Sequence, residues 1–123
     1  DNINSFGLTA IESEHKVADS FRHEQYMLVI ENGKKILVSG CSHKGILNIM
    51  EWLKPDILIG GFHFFRLTTE GEDAATLDKS ATILNEYDAT YYTCHCTGTE
   101  QYEYLKAQMP QLNYIATGDV IEF

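Results

Sequence analysis

The rhythm of apolar and polar residues changes partway along the chain. Up to Ser39 the apolar positions fall in short, β-branched runs. Leu8-Thr9-Ala10-Ile11 predicts a weak strand, and Gln25-Tyr26-Met27-Leu28-Val29-Ile30 a stronger one. Glu31-Asn32-Gly33-Lys34 follows, and Asn-Gly signals a hairpin turn because both positions tolerate positive φ. The run Lys35–Ser39 then completes an antiparallel hairpin.

From Gly45 onward the period lengthens. Ile46, Ile49, Met50 and Leu53 recur at helical spacing, and Lys54-Pro55 closes that helix. Asp56–Ile59 predicts a short buried strand that runs into Gly60-Gly61-Phe62-His63. Ala75–Tyr87 predicts a helix with Leu77, Ala81 and Leu84 on one face. A strand at Ala89–Cys94 follows, then a helix at Gly98–Met109 stopped by Pro110, then closing strands at Asn113–Ala116 and Val120–Phe123. A hairpin followed by strands alternating with helices predicts an α/β layered domain. The polar stretch from Phe64 to Asp73 is expected to form a mobile lid over one sheet edge.

Length and charge narrow the field. The 123 residues make one domain, without repeats, low-complexity segments or a linker. Eighteen acidic against nine basic residues give a formal charge of −9, which disfavours nucleic-acid phosphates and anionic membrane surfaces. The longest apolar stretches, such as Ile57-Leu58-Ile59, are far short of a membrane span. Asp1-Asn2-Ile3-Asn4 has neither a signal-peptide pattern nor an initiator Met, so a processed product or a fragment is expected. Three cysteines, an odd number without disulfide-framework spacing, fit a reducing, cytoplasmic setting.

The chemistry concentrates at predicted strand ends. His43, His63 and His95 each lie just beyond a predicted strand, and strand ends are where open α/β sheets bind ligands. Neutral imidazole is the commonest ligand for zinc, iron and related metals. Cys41 lies two residues before His43, and Cys94 and Cys96 flank His95. If Cys94–Cys96 were still extended, His95 would point away from both sulfurs, which argues against those three sharing one ion. A lone histidine or cysteine is ordinarily a structural residue, but three imidazoles at equivalent strand ends weigh against that default. His15 sits in a polar stretch and is expected to be solvated, while position alone leaves the role of His23 open. Thr97-Gly98-Thr99 precedes a helix and suits ordinary capping.

Three segments occur in order: Gly40-Cys41-Ser42-His43-Lys44-Gly45-Ile46-Leu47-Asn48-Ile49, Gly60-Gly61-Phe62-His63 and His95-Cys96-Thr97-Gly98. Together they resemble the C-terminal half of a metallo-β-lactamase-fold hydrolase, in the subgroup related to a dihydropteroate-synthase-like enzyme. The resemblance runs from about Phe21 to the C-terminus. It implies the C-terminal half of an αββα sandwich, a mixed sheet flanked by helices, with a one- or two-metal site at one sheet edge. It implies His95 as a metal ligand, with Cys41 where the family usually has a bridging Asp and His43 as a further ligand. His23 stands near another ligand position, where Asp or Glu is as common. His63 would line the pocket, orienting substrate or donating a proton.

The family's His-x-His-x-Asp-His string is absent from this sequence. The expectation is therefore a hydrolase in the intact protein, with a divalent metal (zinc, or manganese or iron) activating water against a small-molecule ester, lactone or phosphoester. This chain alone is expected to be inactive and to self-associate or pair with the missing half, since a half-sandwich exposes a face that should be buried. The rival is a non-catalytic half-domain with a vestigial site, acting in binding or association. A thiol-based function for Cys94 and Cys96 is disfavoured by the lack of a Cys-x-x-Cys motif.

Overall fold

The computed structural model describes residues 8–123. The Asp1–Asn4 start, on which the reading of a processed product or fragment rests, lies outside them. Eleven elements follow in order, beginning with β1 (Thr9–Glu12) and β2 (His15–Ala18), an exposed antiparallel pair. A five-stranded sheet holds β3 (Tyr26–Glu31), β4 (Lys34–Ser39), β5 (Ile57–Ile59), β6 (Thr90–Thr93) and β7 (Leu112–Tyr114) in that spatial order. The pair β3–β4 is the expected hairpin, with Asn32 and Gly33 at φ 51° and 77°, the left-handed geometry of a tight turn. The ladders β4–β5, β5–β6 and β6–β7 are all parallel.

Three crossover helices make those parallel steps: α1 (Ile46–Leu53), α2 (Gly71–Asn85) and α3 (Thr99–Lys106). The steps all run in one direction across the sheet, so right-handed crossovers put the helices on one face, where α1 packs on α2 and α2 on α3. Under them lies a row of paired strand residues, Leu37, Leu58, Tyr91 and Leu112, each 0–1 % exposed. The next row, Met27, Val38, Ile59, Tyr92 and Asn113, points the other way and stays exposed or half-buried. Along the sheet's uncovered side, Phe123 of the C-terminal tail packs edge-on against Tyr92, 6.3 Å between ring centroids.

Local chemistry explains the element ends. Lys54 closes α1 in the left-handed conformation at φ 45°, donating its N–H to the Met50 carbonyl, and Pro55 forbids continuation. Helix α2 starts before the expected Ala75, because its first turn is polar and shows no apolar periodicity. Glu72 and Asp73 in that turn favour the positive end of the helix dipole. Helix α3 ends at Lys106, short of the expected Met109, and Met109 then donates its N–H to the Leu105 carbonyl in a closing turn. Val120–Phe123 is not a strand as expected, and Phe123 meets the sheet through its ring instead. No helix among the described residues is long and apolar enough to cross a membrane.

Candidate metal centre

Strands β4, β5 and β6 run parallel, so their C-terminal ends deliver three loops to one edge: Gly40–Lys44, Gly60–Phe64 and Cys94–Gly98. Main-chain bonds bind the loops together. Gly61 N–H donates to the Gly40 carbonyl (2.8 Å) and Gly60 N–H to the Tyr92 carbonyl (2.9 Å). Phe62 N–H donates to the Thr97 hydroxyl (2.8 Å), and the Thr93 hydroxyl donates to the Gly60 carbonyl (2.9 Å). Thr97 therefore ties loops together, and α3 begins at Thr99, preceded by Gly98, without a side-chain cap. The segment expected as a lid is tied down too: the Gln101 amide donates to the Leu67 carbonyl (2.6 Å) and Phe65 N–H to the Cys96 carbonyl (3.1 Å).

At this edge Cys41, His95 and Cys96 converge, with one ligand atom from each within 4.8 Å of the others. The Cys41 sulfur lies 3.9 Å from His95 Nδ1, and the Cys96 thiol points at the Cys41 carbonyl (3.5 Å). The chain after β6 is not extended. His95–Thr97 turns as a 3₁₀ helix, with His95 itself left-handed at φ 46°. That turn brings His95 and Cys96 to the same side. Period-two alternation would put His95 and Cys96 on opposite sides, so the pairing of Cys96 with His95 depends on this turn.

The remaining expected site residues lie beside this cluster. His43 Nδ1 sits 3.1 Å from Glu24 Oε2, and its ring stacks on Phe21 at 4.7 Å and 17°. His63 is buried, with its ring edge-on to His43 (4.5 Å) and to Phe65 (5.3 Å). His23 is exposed and lies edge-on to Phe21, 6.3 Å between centroids. Cys94 is half-buried and outside the three-donor group. Glu24 carried no sequence signal, because its partner is nineteen residues away across the hairpin.

Burial shapes the ionisation of this edge. It pushes the Cys96 thiol up to about 12, with the neighbouring Cys41 adding to the effect. It also raises Cys94, again helped by Cys41. It lowers His63, which His43 and Arg66 lower further while Glu24 opposes them. His63 is therefore neutral near pH 7, offering one N–H and one lone pair.

Two relatives set this geometry in context. Tm1679, a metal-dependent hydrolase of the β-lactamase superfamily, superposes with a TM-score of 0.77 over 98 % of this chain and 51 % of its own, at 21 % identity. The fold is of the β-lactamase-superfamily type. An uncharacterized protein of Methanocaldococcus jannaschii, MJ0448, is 28 % identical over 114 residues, which is 89 % of this chain and 40 % of the relative. The chain thus spans about half the length of one and less of the other. No protein-family model matches it.

The donor set suits a thiophilic divalent ion. Zinc binds sulfur at about 2.3 Å and imidazole nitrogen at about 2.0 Å, which sets tetrahedral S–N separations at roughly 3.5 Å. The 3.9 Å between Cys41 Sγ and His95 Nδ1 needs only a small closure. Two sulfurs and one imidazole are softer donors than the oxygens manganese prefers.

Proposed function

We propose that this chain is the C-terminal part of a metal-dependent hydrolase domain, and that Cys41, His95 and Cys96 hold its ion. The observation that carries the reading is the convergence of their ligand atoms within 4.8 Å at the sheet edge where α/β folds bind ligands. The fold shared with Tm1679 supports the reaction class. Zinc is the favoured metal on donor chemistry. When bound, such an ion acidifies its water and polarises a scissile bond.

The chain's own residues do the rest. His43 is the further imidazole at the same edge, available for ligation through Nε2. His63, kept neutral by burial, orients a substrate or passes a proton. Phe21 and Phe65 flank the two rings. The substrate class is a small-molecule ester, lactone or phosphoester. The uncovered row through Met27, Val38, Ile59 and Tyr92 is the surface on which the rest of the domain, or a second copy, would pack.

Metal analysis and activity together test the reading. The isolated chain should carry zinc at up to one ion per chain and be inactive. The whole gene product, loaded with zinc, manganese or iron, should hydrolyse a phosphodiester or lactone reporter. Stoichiometric metal without turnover in the whole protein would replace the hydrolase with a metal-holding binding module. A protein that takes up no metal would remove both.

A further inference from the structure

Glu24 lies between Phe21 and the start of β3, and its side chain is 7 % exposed. A carboxylate so placed needs donors on both oxygens. Oε2 accepts the main-chain N–H of His43 at 2.7 Å and faces His43 Nδ1 at 3.1 Å. Oε1 accepts the Tyr26 hydroxyl and lies 3.4 Å from the Lys44 N–H. One acidic group therefore clamps the backbone and the ring of the β4 loop, and is itself held from β3.

An ionised carboxylate has no hydrogen to give, so the ring nitrogen facing it must carry the proton. We infer that Glu24 is a positioning residue that holds His43 as the Nδ1–H tautomer and leaves Nε2 as its lone-pair nitrogen. Phe21 below the ring and His63 across its edge fix the ring plane, so Nε2 has one direction in which to act. The tautomer follows from contacts within the chain. The use of Nε2 toward a metal or substrate rests on the function proposed above. A carboxylate behind an imidazole is a general way of raising ligand basicity and fixing its orientation.

Long-range proton–nitrogen NMR on metal-free, labelled protein near pH 7 tests this, because pyrrole-type and pyridine-type ring nitrogens have distinct shifts. Wild type should show His43 with Nδ1 protonated and Nε2 bare. Glu24→Ala should transfer population to the Nε2–H form, while Glu24→Gln, whose carbonyl still accepts, should retain Nδ1–H. Tyr26→Phe removes a donor to Glu24 and should leave the tautomer unchanged. A wild-type His43 protonated at Nε2 overturns the inference without any variant having to fold. A folded Glu24→Ala protein with an unchanged His43 spectrum also overturns it. Zinc affinity, measured separately, should fall roughly 10–100-fold in Glu24→Ala if Nε2 serves the ion. Wild-type protein that binds no zinc would sink the metal reading and leave the tautomer result standing.

Discussion

At the end of β4, His43 has a buried carboxylate behind Nδ1 and aromatic rings on its face and edge. At the end of β6, His95 is exposed and has the Cys41 sulfur 3.9 Å from Nδ1. Both histidines follow a parallel strand on one edge of one sheet, His43 four residues beyond the end of β4 and His95 two beyond the end of β6. The environments differ because of what packs on each loop. Segment 21–24 folds over the β4 loop and brings a carboxylate, whereas the β6 loop turns immediately into a 3₁₀ helix that sets His95 beside the Cys41 sulfur. One imidazole is thus pre-oriented by hydrogen bonding, and the other is left for an incoming ligand to orient.

Deleting a donor from the Cys41, His95 and Cys96 cluster, which joins the two ends, should have the largest effect. Cys41→Ser or His95→Ala should weaken zinc binding by more than the roughly 10–100-fold expected from loss of an outer-shell partner, as read by chelator competition. Thermal stability of the metal-free protein should change little, because neither side chain is fully buried. Equal zinc affinity in either variant would remove the three-donor site.

Gly60 and Gly61 separate the two ends by a subtler route. A Cβ on Gly61 would stand 2.3 Å from the Cys96 sulfur, so Gly61→Ala must displace that thiol. A Cβ on Gly60 would stand 2.6 Å from the Ser39 carbonyl, a backbone clash with β4. Gly60→Ala should therefore cost about 1–3 kcal/mol in denaturant unfolding. Gly61→Ala should act mainly on zinc affinity. The reverse pattern would mean the cluster tolerates movement that the strand does not need.

His63, between the two ends, gives a pH signature. Its folded pKa is below the ordinary 6.5, so the unfolded chain takes up a proton that the folded chain refuses. Stability of the metal-free protein should hold above that pH and fall as the pH drops below about 6.5 toward the lowered folded value. His63→Gln should flatten that slope in urea titrations at pH 7 and pH 5. An unchanged slope would place the acid sensitivity elsewhere. The smallest effect should come from Cys94→Ser, which lies outside the donor group and should leave zinc affinity within about threefold.

Much of this architecture was legible in the residues. The hairpin declared itself through Asn32-Gly33, and the three helices through apolar spacing anchored at Ile49, Leu77 and Leu105. The misses have physical causes. Strand β2, from His15 to Ala18, is polar and exposed, so alternation gives no signal there. Val120–Phe123 has strand-like composition, but its Phe123 packs by an aromatic contact that needs no ladder. At the candidate site, the placement of His43, His63, His95 and Cys41 at one sheet edge could be read from their positions after strands. Cys96 and Glu24 could not, since one depends on a tight turn and the other on a contact across the hairpin.

Three of the loop residues at the sheet edge, Ser42, His63 and His95, hold left-handed backbone at φ 58°, 58° and 46° without being glycine. Such conformations cost an ordinary side chain roughly 1 kcal/mol or more. A genealogy of relatives should carry the imprint of that tension. At these positions drift is open in two directions: keep the side chain for its chemistry, or lapse to glycine or asparagine once the chemistry is no longer selected. Lineages that have lost the site should therefore be recognisable by three simultaneous relaxations in backbone preference, even where the rest of the sheet is unchanged.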